Sequence, residues 1–208
     1  MTPKQIADIN NIYDQYHNTL LPLMQNYEVI LGEHPIEILN EIHSIFSHFS
    51  RCYSPNASAT EIDENIQKAQ NHMKRAILDG FKYMCYAYQI KIDEFKKEYS
   101  RVFALIDNGT FIDEFYEKLD LAQKSFLKAK QAETSSKDVS VSYPLYEMAY
   151  NAYDDIYHFA LDKKKDSGKL KAITDKDYKK KFLISLAFNI GMGILAVGSF
   201  IFGLIAIL

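Results

Sequence analysis

The sequence predicts an all-α fold, a helical bundle followed by a single C-terminal transmembrane helix. Glycine and proline are rare before residue 190, and apolar residues recur at three- and four-residue intervals, which favours helices over strands. The stretch 182–208 has no charged side chain and follows directly on Lys179-Lys180-Lys181. About 20 apolar residues are enough to cross a membrane as a helix, so this stretch predicts a membrane span.

The first two helices are expected over about 3–29 and 35–53. Pro22 is expected to kink the first, because a proline inside a helix removes a backbone hydrogen bond. The segment 32–35 contains a glycine and a proline that separate the two helices, and Pro35 suits the first turn of the second.

A long third helix, about 59–105, is expected to begin at a capping box formed by Ser58 and Glu61. The turn sequence 107–109, Asp-Asn-Gly, ends this helix and precedes a fourth helix that reaches about residue 133. A fifth helix begins near residue 142. It places five tyrosines on one face, where packing is favoured over base stacking: Tyr143, Tyr146, Tyr150, Tyr153 and Tyr157.

Charge divides the chain into three parts: a helical domain 1–162, a basic juxtamembrane linker 163–181 and a transmembrane helix 182–208. The linker carries a net charge of +6, whereas residues 1–162 carry −9. Basic flanks of a membrane helix stay on the cytoplasmic side. We therefore expect a single-pass protein of the inner (cytoplasmic) membrane with its N-terminal domain in the cytoplasm.

The tail also has a spacing that favours self-association. Small residues at four-residue multiples let membrane helices approach closely, and a polar residue within the span favours an interhelical partner. The residues predicted for packing or pore formation are Ala187, Asn189, Gly191, Ser199 and Gly203, and those predicted to lie at the membrane surface are Lys179, Lys180 and Lys181. An alternative is that these glycines reflect only the usual composition of membrane helices.

The sequence shows no pattern typical of a cofactor or metal site. Cys52 and Cys85 are the two cysteines, and neither belongs to a CxxC pair or a Cys/His cluster. No phosphate-binding glycine loop or nucleophile elbow is present. We therefore expect no cofactor, no metal and two reduced thiols.

Two polar rows on the second and third helices form the candidate ligand-binding site. The rows comprise Glu41, His48 and Arg51 on one helix and His72, Arg75 and Asp79 on the other. A short loop makes the two helices antiparallel neighbours, so the rows are expected to meet in one groove suited to an anion or to acid–base chemistry. The alternative is two solvated faces with intrahelical pairs such as Arg75 with Asp79.

The stretch from Asn40 through Arg51, followed by Ala69 through Lys82, resembles bacterial HEPN-like helical proteins. The combination with a membrane helix is similar to the HEPN-like membrane accessory proteins of RNA-targeting type VI CRISPR systems, which assemble as membrane pores. Nucleases of the HEPN class pair an Arg with a His after four to six intervening residues. None of Arg51, Arg75 and Arg101 has such a histidine, so the resemblance implies a non-catalytic member.

The expected function is therefore a membrane-anchored, non-catalytic effector or accessory in antiviral defence that oligomerises and perturbs or permeabilises the membrane. The expected partners are the lipid bilayer, further copies of the chain and a protein or RNA-linked trigger, but not DNA. Two alternatives stay open. One is a tail-anchored scaffold that recruits a protein, and the other is a degenerate ribonuclease that uses the two polar rows.

Overall fold

The computed structural model describes the backbone of residues 1–136 and 138–205, and the side chains of 1–136, 138–186 and 188–190. Within this part of the chain all regular structure is helical, which confirms the predicted all-α class. The α-helices are α1 (Pro3–Gln15), α2 (Leu21–Leu31), α3 (Ile36–Cys52), α4 (Ala59–Tyr99), α5 (Thr110–Ser135) and α6 (Val139–Ile205).

The predicted first helix is divided by a π-helical turn, Tyr16–Leu20, between α1 and α2. Pro22 at the start of α2 has no N–H to donate, and the Leu21 N–H bonds to the Tyr16 carbonyl, one residue further back than in an α-helix. Gly32 then ends α2 in the left-handed conformation with φ 74°. The helix break predicted at 32–35 is confirmed.

The start of α4 follows the predicted capping box. The Glu61 N–H donates to Ser58 Oγ at 3.2 Å, and the Ser58 N–H donates to Glu61 Oε2 at 2.8 Å. Helix α4 ends earlier than predicted, because a 3₁₀ segment, Ser100–Gly109, replaces its last turns. Asp107 and Asn108 within that segment have φ 48° and 57°, so the chain turns there as the sequence indicated.

Helix α4 contacts every other element of the first of two compact units, which comprises 1–98 and 113–162. Gly80 lies against α2, where an added Cβ would stand 3.1 Å from Leu23 Cδ1. Phe81 and Tyr88 pack against the tyrosine face of α6. The fully buried side chains of the unit include Ile12, Leu20, Ile38, Met73, Ile77, Met84, Phe115, Tyr146 and Ile156.

The second unit comprises 99–112 and the described residues from Lys163 onward. Phe103 and Phe111 pack edge to face at 5.1 Å. The Lys163 Nζ pairs with Asp107 Oδ2 at 2.6 Å, and the Ser167 hydroxyl is buried and donates to the Lys163 carbonyl. These contacts join the 3₁₀ turn to this part of α6.

The prediction of a single-pass inner-membrane protein is wrong for the described residues. No helix in this part of the chain is both long enough and apolar enough to cross a membrane. Helix α6 continues through 163–181, where charged residues recur, and a span needs about 20 consecutive, mainly apolar residues. Of the predicted packing residues, Asn189 has an exposed side chain. The side chains of Ala187, Gly191, Ser199 and Gly203 lie outside the described residues.

Candidate functional site

The α3–α4 hairpin brings the predicted polar rows together. Tyr83 of α4 contacts Glu37 of α3, His72 contacts Glu41, and Asn65 contacts His48. Because residue numbers fall along α4 as they rise along α3, the two helices are antiparallel neighbours, as predicted.

The centre of the site is a pair of stacked imidazoles, His48 and His72, with ring centroids 5.3 Å apart and planes inclined by 24°. The His72 Nδ1 lies 2.5 Å from Glu41 Oε2. The His72 and Glu41 side chains are each 23% exposed and His48 is half-buried, so the two rings are open to a ligand from solvent. We call His48 and His72 together the histidine pair.

Hydrogen bonds fix the tautomer of each ring. The Asn65 Nδ2 donates to the Glu61 carbonyl at 2.8 Å, so its Oδ1 faces the His48 Nδ1 at 2.9 Å. An amide oxygen accepts only, so the His48 Nδ1 carries a proton. The His72 Nδ1 likewise donates to the Glu41 carboxylate. Neither Nε2 has a partner among the described residues, so both are available to a ligand.

Arg51 Nη1 also lies 3.5 Å from the His48 Nδ1. The two contacts at this nitrogen compete, because a guanidinium only donates and would need an unprotonated Nδ1. The 2.9 Å contact with Asn65 is the shorter, so we assign the proton to Nδ1. In this tautomer the Arg51 guanidinium makes no hydrogen bond to the ring.

Three exposed cations flank the histidine pair: Lys68, Arg75 and Arg51. Lys68 and Arg75 lie on the same face of α4 as His72, four residues before it and three after it. None of the three forms a salt bridge with a described residue, and the intrahelical pair between Arg75 and Asp79 is not formed. These three cations and the Glu41 carboxylate sum to +2, although residues 1–162 carry −9.

Asp79, the last member of the predicted rows, belongs to a different cluster. Lys82 Nζ lies 3.2 Å from Asp79 Oδ1 and 2.5 Å from Glu133 Oε1, and the Tyr146 hydroxyl donates to Glu133 Oε2 at 2.6 Å. We call these four residues the lysine network. Asp79 lies seven residues from His72, which is about 10 Å along the helix axis. The structure therefore divides the predicted site in two.

The two carboxyls of the lysine network have opposite pKa shifts. Burial raises the pKa of Asp79, and the charges of Glu41 and Glu133 add to this rise, against the lowering effect of Lys82. For Glu133, burial acts upward, but hydrogen bonds from Lys82 and Tyr146 hold its pKa below the usual range. Glu133 thus has two hydrogen-bond donors, Lys82 and Tyr146, whereas Asp79 has Lys82.

Sequence reasoning missed Glu133 and Tyr146 because they are far from Lys82 along the chain. It also missed the bond from the Tyr83 hydroxyl to Glu37 Oε2. Lys179, Lys180 and Lys181, the predicted membrane-surface residues, are exposed on α6. No group of three metal-ligating side chains is present within the described residues.

Comparisons with protein-family models, with curated proteins and with solved structures found no match. The HEPN-like resemblance is therefore a hypothesis that depends on the residues quoted for it, and the function must be argued from the site itself.

Proposed function

We propose that this protein is a non-catalytic helical accessory that binds a phosphate-class anion at the histidine pair. The observation that supports the proposal is a half-buried pair of imidazoles whose Nε2 atoms are unpartnered, flanked by three cations that form no salt bridge. A multivalent anion would provide acceptors and negative charge for the three cations without a described salt bridge, Arg51, Lys68 and Arg75.

Binding would use the histidines as hydrogen-bond donors. A protonated imidazole donates from both nitrogens, so each Nε2–H would point to an anion oxygen while each Nδ1–H keeps its bond to Asn65 or Glu41. The Glu41 carboxylate accepts from the His72 Nδ1–H and so orients the ring. Arg51 and Arg75 supply the planar donors that suit phosphate oxygens.

The finer class that we propose is HEPN-like, on the support of the pattern from Asn40 through Lys82. An RNA-linked trigger of an antiviral accessory would carry phosphate groups of the kind that this site suits.

Isothermal titration with inorganic pyrophosphate tests the proposal. Arg51→Gln and Arg75→Gln should each weaken binding by about fivefold to tenfold, because each removes charge-assisted hydrogen bonds at an exposed site. Arg101→Gln is the matched control, since Arg101 lies outside the α3–α4 hairpin, and it should bind like the wild type. Equal losses in all three variants would indicate a general charge effect and would contradict the site.

RNA cleavage is a second candidate, favoured by the carboxylate behind His72. A carboxylate that accepts from Nδ1–H orients an imidazole as a general base, and His48 would be the second proton-transfer group. Incubation of labelled single-stranded RNA with wild type, His48→Gln and His72→Gln separates the two functions. Binding without cleavage supports the accessory, whereas cleavage that both substitutions abolish supports the nuclease.

A further inference from the structure

A second cleft, formed by α4, α5 and α6 with one side chain of α3, has a volume of about 390 Å³. This volume falls in the range of small-molecule sites. Four of its ten lining residues are aromatic, and two of them, Phe126 and Tyr153, stand nearly perpendicular with ring centroids 6.1 Å apart. Tyr86, at 60% exposure, lies on the open side. The cleft therefore offers several ring faces to one ligand.

Two lysines that line the cleft have their ammonium groups next to aromatic rings. Lys130 Nζ lies 4.9 Å from the centroid of Phe126, a ring of the cleft, and Lys82 Nζ lies 5.3 Å from that of Tyr146, which lies outside the lining. Both distances suit a cation–π contact. Lys130 makes no salt bridge to a described residue, so its ammonium is held there by the ring and solvent. The Phe126 ring thus holds an alkylammonium, that of Lys130, without a paired carboxylate among the described residues.

Charge decides between a cationic and an anionic ligand. Glu37 and Asp79 line the cleft, and Glu133 lies next to them through Lys82. The lining carries two carboxylates and two ammonium groups, those of Lys82 and Lys130, and Glu133 bonded to Lys82 adds one negative charge in excess to this group. An anionic ligand would add to this excess, whereas a cation would neutralise it.

We infer that this cleft binds a small organic cation, an alkyl- or arylammonium, on its aromatic walls with Asp79 and Glu37 as counter-charges. The ammonium would lie near the Asp79 carboxylate, and its apolar part would cover Phe126 and Tyr86. This site is separate from the histidine pair, so it does not depend on the proposed anion binding.

Two probes of matched size and opposite charge test the inference. We expect phenethylammonium to bind wild-type protein in a calorimetric or NMR titration at up to about 10 mM, and phenylacetate not to bind. Asp79→Asn and Phe126→Leu should each weaken amine binding at least about fivefold, since each removes one recognition element. Asp120→Asn is the matched control, because Asp120 pairs with Lys124 outside the cleft.

Three outcomes would overturn the inference. They are tighter binding of phenylacetate than of the amine, absence of amine binding in this range, and unchanged amine binding in both cleft variants. Circular dichroism on every variant establishes that it is folded before titration. Phe126 lies on α5 and Asp79 lies on α4. If one of the two variants fails to fold, the other still tests the inference.

Discussion

Replacing Lys82 by Met should destabilise the protein by about 2.5 kcal/mol. Lys82 holds two carboxylates, at 3.2 Å for Asp79 and 2.5 Å for Glu133, and its ammonium contacts the Tyr146 ring. A hydrogen bond to a charged group contributes about 1.5–3 kcal/mol when desolvated. The three charged side chains are 27–38% exposed, so we take about 1 kcal/mol for each ion pair and about 0.5 kcal/mol for the ring contact.

Lys91→Met is the matched control for this change. Lys91 lies on the same helix and also pairs with an acid three residues away, but Glu94 is 61% exposed and no second carboxylate is present at Lys91. Exposed pairs contribute at most about 1 kcal/mol. Urea unfolding followed by circular dichroism measures both variants. Similar losses for the two would refute the claim that the lysine network stabilises the contacts between α4, α5 and α6.

Three further predictions concern individual groups. Because burial raises the pKa of Asp79, ionisation of this carboxyl costs folding free energy. The unfolding free energy of Asp79→Asn relative to wild type should therefore rise from about pH 4 to about pH 7, and a fall would contradict this. Burial raises the pKa of the Cys85 thiol to about 12. Iodoacetamide at neutral pH should accordingly leave native Cys85 unlabelled by mass spectrometry and label it in urea, whereas rapid native labelling would oppose this. Asn108 has φ 57°, so Asn108→Val should cost about 1 kcal/mol or more in urea unfolding and Asn108→Gly should not, while equal stability would argue against the left-handed turn.

Local signals in the sequence predicted much of the helical framework. Ser58 and Glu61 mark the start of α4 because a capping box depends on residues only three positions apart. The turn at 107–109 was likewise predictable, since Asp, Asn and Gly tolerate positive φ. The π turn before Pro22 was not, because a proline in a helix can produce a kink, a break or a wider turn.

The site was predictable only in part. The α3–α4 hairpin has a short loop, so sequence reasoning could place Glu41 and His48 beside His72. Sequence reasoning could not separate Asp79 from that group. The spacing of residues shows that they share one face of a helix, but it does not show which element packs against each of them. The partner of Lys82 is Glu133, 51 positions away, and no local pattern indicates such a contact. The expected membrane span depended on composition alone, and no described helix meets the requirement.

The most direct test of the proposed function is an NMR titration that observes the histidine side chains. Long-range proton–nitrogen spectra report which ring nitrogen carries the proton. Without ligand, His48 and His72 should both show protons at Nδ1. On addition of inorganic pyrophosphate, their Nε2 signals should shift and saturate together, while exposed His34 and His158 stay unchanged. Absence of the proton from Nδ1 in the free protein, or equal shifts at all four of these histidines, would contradict the account.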